Sequence, residues 1–228
     1  MRRAGLSLLF VASVGGTIYL CTSMGGGMQM PGGWTMSMAW MRMPGQSWLG
    51  AAAAFMAMWV VMMVAMMTPS LIPTLSANRD GAVTVTAAYF LVWTLLGAVL
   101  YPFGVFIATA EMRWPALARS VPAATGVALL LAGCMQLTGW KVRKLDRCRE
   151  VCGPDPWRHG LRLGINCVYC CTSFMTVLLV TGVMNLTAML AVASAITVER
   201  LAPRPERVAR ALGVMVIVAG ILTLNSGR

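Results

Sequence analysis

Residues 49–73 read LGAAAAFMAMWVVMMVAMMTPSLIP, a run that contains no charged side chain. A helix of about 20 apolar residues is long enough to cross the hydrocarbon core of a bilayer, where no water is present to satisfy a non-helical backbone. We therefore predict a transmembrane helix near residues 50–75. The run is also rich in thioether side chains, which belong to Met56, Met58, Met62, Met63, Met66 and Met67.

Charge-free runs of similar length recur on both sides of this helix. In the whole chain 58% of residues are hydrophobic and 11% are charged, whereas a soluble domain carries about 25% charged residues. Five more helices are predicted near residues 4–20, 83–109, 120–140, 165–184 and 207–225. The sequence thus predicts an all-α fold, a polytopic transmembrane helix bundle of about six spans, which forms a single domain over residues 1–228.

Two segments allow more than one interpretation. Residues 186–199 form either the end of one long helix from residue 165 or a short seventh span, and Gly182 and Asn185 favour a break before them. At the N-terminus, a basic start followed by an apolar run resembles a signal peptide. No small-x-small cleavage site follows cleanly, so a retained first helix is the favoured interpretation.

The distribution of charge predicts the orientation of the bundle. A formal charge of +11 would suggest nucleic-acid binding in a soluble protein. Here the basic residues lie in short loops between spans, so topology explains them better and no nucleic-acid partner is expected. Residues 141–162 carry seven Lys and Arg residues, whereas residues 21–46 carry only Arg42. The positive-inside rule therefore predicts a cytoplasmic N-terminus and inner loop 141–162, with outer loops at 21–46 and 111–119.

The methionines of the 50–75 helix are the first candidate metal ligands. Met58, Met62 and Met66 are spaced i, i+4, i+8 and share one stripe, while Met63 and Met67 form an adjacent pair. A thioether is soft and neutral, suits Cu(I), and costs less in a bilayer than a carboxylate. Methionine is also a good helix former and a flexible packing residue, so packing is the alternative.

The predicted outer loop 21–46 holds seven further methionines among glycines and prolines. This composition predicts an adaptable, weakly structured loop. Binding of a soft metal is the favoured interpretation of its methionines, and binding of a peptide or lipid is the alternative.

The cysteines form the second group of candidate ligands. Cys167, Cys170 and Cys171 are spaced i, i+3, i+4, so a helix would place the three thiols on one face, and Cys148 and Cys152 lie in the predicted inner loop. Cytoplasmic thiols stay reduced, so metal or redox chemistry is expected in preference to a structural disulfide. Burial as small apolar residues is the alternative.

His159 is the only histidine, so no multi-imidazole centre can form. It is either one metal ligand among thiolates or an interfacial side chain. The sequence contains no carboxylate pair at membrane depth, no nucleophile elbow and no phosphate-binding loop, and an enzyme is therefore not expected.

Three segments resemble an uncharacterised bacterial family of predicted metal-binding integral membrane proteins, a domain of unknown function. They are MAMWVVMMVAMMTPS at 56–70, QLTGWKVRKLDRC at 136–148 and HGLRLGINCVYCC at 159–171. Gly139-Trp140 departs from the Pro-Leu of the family pattern. The resemblance implies a helical membrane fold and favours a chemical role for methionines 56–67 and cysteines 148–171, but it supplies no function. The expected location is the bacterial cytoplasmic (inner) membrane.

The leading hypothesis is a membrane protein that binds, transports or delivers a soft metal, Cu(I) above others. Its expected partners are the lipid bilayer, other membrane subunits or a copper enzyme, and a second copy of the chain in a homo-oligomer. Two alternatives stay open: an accessory structural subunit of a respiratory or monooxygenase complex, and a membrane thiol redox sensor.

Overall fold

The computed structural model describes residues 2–23, 27–43, 45–77, 81–148 and 155–226. Within these ranges the chain forms eight α-helices and one small antiparallel hairpin, which confirms the predicted all-α fold. In chain order the elements are α1 (Arg2–Ser23), β1 (Gly27–Gln29), β2 (Thr35–Ser37), a 3₁₀ turn (Met38–Trp40), α2 (Trp48–Ala77), α3 (Ala82–Arg113), α4 (Pro115–Gln136), α5 (Gly139–Cys148), α6 (Pro156–Thr181), α7 (Leu186–Leu201) and α8 (Pro205–Ser226).

Five of these helices are long and apolar enough to cross a membrane: α2, α3, α4, α6 and α8. The chain is therefore an integral membrane protein. In α1 the apolar part, residues 8–23, is shorter. Helix α7 has 16 residues, which is about 24 Å of helix and less than the roughly 30 Å of a hydrocarbon core.

The break before α7 excludes one long helix from residue 165, whereas a separate membrane span at residues 186–199 stays a prediction. Gly182 ends α6 with φ +105°, a conformation that favours glycine. The side chain of Asn185 then accepts a hydrogen bond from the Ala188 backbone at 3.1 Å and caps α7. Residues 186–199 thus belong to a separate helix.

The outer segment 21–46 corrects the expectation of a weakly structured loop. Met28 pairs with Met36 across the β1–β2 hairpin. Met30 and Met36 are buried in a small apolar cluster with Ala108 and Ala118. The expectation was wrong because one face of the hairpin packs on the ends of α3 and α4. Met28 and Met43 stay exposed, and Met24 lies outside the described residues.

Two other predicted loops are largely helical. Only Trp114 separates α3 from α4 where an outer loop 111–119 was expected, because Pro115 can begin a helix at once. In the predicted inner loop 141–162, most of α5 and the first turns of α6 replace irregular backbone. Asp155 caps α6 by accepting a hydrogen bond from the Trp157 backbone at 3.0 Å.

Close helix contacts at glycines set the bundle geometry. Helices α4 and α8 run antiparallel, and a Cβ on Gly133 would lie 2.8 Å from the Gly213 carbonyl oxygen. Helix α6 approaches α3 in the same way, since a Cβ on Gly160 would lie 2.6 Å from the Val85 carbonyl oxygen. Small residues allow such close approach inside a membrane.

The main buried core lies among α1, α2, α3, α6 and α7 and receives Cys148 from α5. The Trp59 indole of α2 donates to the Trp93 carbonyl of α3 at 2.9 Å, which ties these two helices together. We call the end of the bundle that carries β1 and β2 the hairpin side. We call the opposite end, which carries α5 and the turn between α7 and α8, the basic side.

Candidate metal centre

Helix α6 brings three thiols together inside the core. The Cys171 Sγ lies 3.7 Å from both the Cys167 Sγ and the Cys170 Sγ, and all three sulfurs lie within 4.8 Å of one another. Each of the three residues is at most 2% exposed. The predicted grouping of these thiols on one helix face is therefore present in the fold.

Helix α5 supplies a fourth thiol. Its buried face consists of Lys141, Leu145 and Cys148, a spacing that places all three on one side of a short amphipathic helix. The Cys148 thiol donates to the Cys170 Sγ at 3.2 Å. Hydrogen bonding to the Cys167 and Cys170 sulfurs, together with burial, raises the pKa of the Cys148 thiol well above its ordinary value. Binding of a metal by this thiol would therefore release a proton.

The sulfur spacing suits a shared soft metal ion. A metal about 2.3 Å from each thiolate sulfur holds those sulfurs about 3.8–4.0 Å apart in tetrahedral or trigonal geometry. The two separations of 3.7 Å already approach this value. The Cys148 and Cys170 sulfurs, at 3.2 Å, lie closer than this value and would have to move apart to share one ion. A donor set made only of thiols selects soft metals over hard cations.

Arg200, in the last turn of α7, supplies a buried positive charge beside the thiols. Its Nη1 donates to the Cys167 Sγ at 3.5 Å and to the Ser70 Oγ at 2.9 Å, and its Nη2 donates to the Cys148 carbonyl at 2.8 Å. In the described part of the chain, Arg200 forms no salt bridge with a carboxylate. Because a buried charge needs a compensating charge, a thiolate or metal-thiolate complex is the partner that this position offers.

Tyr89 of α3 also contacts the Cys167 sulfur. Its hydroxyl donates to the Cys167 Sγ at 3.0 Å. Cys167 thus receives hydrogen bonds from two helices other than its own. Sequence reasoning missed both Tyr89 and Arg200. A signal for Arg200 existed, since it stands at the end of the charge-free run from 163 to 198.

A second buried cation is already neutralised. Lys141 Nζ lies 3.0 Å from Glu199 Oε1, and both side chains are buried. The same ammonium donates to the Cys170 carbonyl and lies 4.9 Å from the centre of the Phe174 ring. This ion pair holds α5, α6 and α7 together. With Arg200, the three buried charged side chains sum to +1 beside the thiols.

The five candidate methionines of α2 are all buried, at most 3% exposed, and belong to the same core cluster as the thiols. The Ser70 hydroxyl donates to the Met67 carbonyl at 2.8 Å and accepts from Arg200. Met66 stands one turn before Ser70 on the same helix face. The stripe of Met58, Met62 and Met66 therefore ends beside Ser70. The Ser70 hydroxyl accepts a hydrogen bond from Arg200, which also donates to Cys167. Burial fits both packing and metal contact, and the metal role of these methionines stays a prediction.

The other candidate residues lie apart from the thiols or outside the described residues. His159 is buried in the first turn of α6, two turns and about 12 Å before Cys167 along the helix axis. Cys152 falls in the segment 149–154, outside the described residues. Their roles as ligands stay predictions. Cys134 is exposed on α4.

The fold and the site together define an integral membrane protein with a buried thiol cluster that can bind a metal. The sequence model of the PpoB2 family, described as a copper chaperone, matches residues 56–223. This match covers most of the chain, including α2 from Met56 and every thiol of the cluster, and the chain belongs to the PpoB2 copper chaperone family. The resemblance to a metal-related membrane family is thereby confirmed. Searches of curated proteins and of solved structures gave no match.

Proposed function

We propose that this protein is a membrane-embedded Cu(I) chaperone that holds the ion with Cys148, Cys167, Cys170 and Cys171 and then delivers it to a copper enzyme. One observation carries the proposal: four thiols share a buried site with an arginine that has no carboxylate partner among the described residues. With two of the four thiols deprotonated and two still protonated, the Cu(I) complex carries one negative charge, which Arg200 would neutralise.

The neighbouring thioethers favour Cu(I) over zinc. Both metals bind thiolates, but thioether sulfur is a ligand that selects Cu(I), while zinc takes cysteine, histidine and carboxylate ligands. Met66 lies one turn from Ser70, and Ser70 shares Arg200 with Cys167. A Cu(I) ion could therefore pass between the stripe and the thiols within the protein interior.

The two ligand types also suggest a direction of transfer. Thioethers are neutral and exchange Cu(I) readily, whereas thiolates are charged and hold it more strongly. We call the four thiols of Cys148, Cys167, Cys170 and Cys171 the thiol centre. Movement of Cu(I) from α2 to the thiol centre would then lower its free energy. With the basic side in the cytoplasm of a bacterial inner membrane, as the positive-inside rule expects, this path leads inward.

The direct test is retention of copper by the detergent-purified protein after anaerobic Cu(I) loading and a challenge with a strong Cu(I) chelator. We expect the native protein to retain copper in near-stoichiometric amount and the Cys167→Ser/Cys170→Ser/Cys171→Ser variant to lose it. The Cys134→Ser variant, which changes an exposed cysteine, is the matched control and should behave like the native protein. Retention by the triple variant after the chelator challenge would reject the thiol centre.

Thiol redox sensing is the second candidate, and the separation of 3.2 Å between the Cys148 and Cys170 sulfurs favours it. Two thiols at this distance can form a disulfide by giving two protons and two electrons to an oxidant, such as a small-molecule disulfide. Alkylation in intact membranes under oxidising and reducing conditions tests this function. Equal labelling of Cys148 and Cys170 in both conditions would exclude it.

A further inference from the structure

A second pair of sulfurs meets in the core, away from the thiol centre. The Cys21 thiol donates to the Met189 Sδ at 3.9 Å, and both residues are 4% exposed. Cys21 lies near the end of α1, and Met189 lies in the first turn of α7. Both positions belong to the hairpin side of the bundle. The contact between Cys21 and Met189 was not predicted from the sequence, because the two residues are 168 positions apart.

The contacts of α2 with α1 and α7 show which residues of α2 lie at the same height in the bundle as Cys21 and Met189. Helix α1 runs antiparallel to α2, and a Cβ on Gly16 would lie 3.3 Å from Val61 Cγ1. Cys21, five residues further along α1, is therefore level with about residue 56. Helix α7 runs parallel to α2, with Arg200 against Ser70. Met189, eleven residues earlier, is therefore level with about residue 59.

Met58 lies between these two levels, and it is buried in the same cluster as Cys21 and Met189. Three helices thus bring a thiol and two thioethers to one level of the core. This level is about 18 Å from Ser70 along α2, since helices rise about 1.5 Å per residue. The Cys21–Met189 group is therefore separate from the thiol centre.

We propose that Cys21, Met189 and Met58 form a second soft-metal site, which takes Cu(I) on the hairpin side and supplies it to the methionine stripe. This inference rests on the proposed function. When Cu(I) binds, the Cys21 thiol loses its proton to solvent and becomes a thiolate ligand. No electron is transferred, because the ion arrives and leaves as Cu(I).

The charge balance fits this site. One thiolate, two neutral thioethers and one Cu(I) ion sum to zero, so the filled site needs no counter-ion in the membrane. Among the described residues, the buried charged side chains are Lys141, Glu199 and Arg200, all on the basic side. The thiol centre, whose Cu(I) complex would be anionic, has a cation beside it. The Cys21 site, whose Cu(I) complex would be neutral, has none among the described residues.

The stripe provides steps between the two sites. Met58, Met62 and Met66 follow one another at single helical turns, about 6 Å apart. Ser70 continues the same face and contacts Arg200 at the thiol centre. Each thioether along this face is a weak and exchangeable ligand for Cu(I).

Anaerobic titration of the full-length protein in detergent with Cu(I), against a weak chromogenic chelator, tests the second site. We expect the native protein to bind two ions per chain and the Cys21→Ser/Met189→Leu variant to bind one. The Cys167→Ser/Cys170→Ser/Cys171→Ser variant should keep one weakly bound ion, which is lost when Cys21→Ser and Met189→Leu are added. A matched control that adds Cys134→Ser and Met36→Leu instead should keep it. Circular dichroism and a single gel-filtration peak would show that each variant is folded.

The outcomes separate the two proposals. If the native protein binds one ion and the triple cysteine variant binds none, the second site is rejected and the thiol centre stands. The second site is also rejected if its substitutions leave the native stoichiometry unchanged, because Cys21 and Met189 then only pack. If the native protein binds no Cu(I) at all, the proposed function itself fails.

Discussion

The thiol centre and the methionine stripe are both buried and rich in sulfur, but they have different polar surroundings. Charged groups surround the thiols: Arg200 contacts Cys167, and Lys141 pairs with Glu199 beside Cys170. Along the stripe, Thr68 and Ser70 bond to carbonyls of their own helix. The bundle thus places its buried charges where ligands become charged and leaves neutral ligands in apolar surroundings. Under the proposed function, this difference would separate the site that holds Cu(I) from the path that supplies it.

The largest predicted effect concerns the ion pair beside the thiols. Lys141→Met leaves Glu199 buried without its partner, and we expect it to lower the free energy of unfolding by about 3–5 kcal/mol. Lys141→Met/Glu199→Leu should recover most of that loss, because neither charge then remains. Thermal unfolding in detergent measures both variants.

The exposed pair Arg210–Glu206, at 3.9 Å on α8, provides the control. Arg210→Ala should cost about 0–1 kcal/mol, since solvent screens this pair. If Lys141→Met and Arg210→Ala lowered the free energy of unfolding equally, the buried ion pair beside the thiols would be no more important for stability than an exposed one.

The next effect concerns Arg200 itself. Arg200→Met removes the charge that would neutralise a Cu(I)-thiolate complex, and we expect the Cu(I) affinity of the thiol centre to fall by about 10–100-fold. Competition with a Cu(I) chelator measures this change. Arg204→Met removes an exposed arginine from the same side and should leave the affinity unchanged. If Arg200→Met also left it unchanged, the charge argument for the thiol centre would be wrong.

The smallest predicted effect is the change in stability when the stripe methionines are replaced by leucine, which removes their sulfur. Met62→Leu/Met66→Leu preserves volume and should change the free energy of unfolding by less than about 1.5 kcal/mol for each substitution. Retention of copper by the thiol centre should stay as in the native protein. Loading of that centre from the hairpin side in vesicles should become slower. Unchanged loading would mean that the stripe serves only for packing.

Much of the fold followed from charge-free runs, because a membrane requires long uninterrupted helices. The three thiols of α6 followed from the i, i+3, i+4 rule, which depends on the helix alone. Cys148, Tyr89 and Arg200 are brought to the same place by packing between helices, which the local sequence does not encode in a readable form. The hairpin was missed because burial of Met30 and Met36 depends on Ala108 and Ala118, far along the chain.

The central claim, that these thiols hold Cu(I), is tested most directly by X-ray absorption at the copper edge of the loaded and chelator-challenged native protein. We predict a Cu(I) edge with a first shell of sulfur at about 2.3 Å, as thiolates require. The Cys134→Ser variant should give the same spectrum. A first shell of nitrogen or oxygen, or an ion whose sulfur shell is unchanged in the Cys167→Ser/Cys170→Ser/Cys171→Ser variant, would contradict the account.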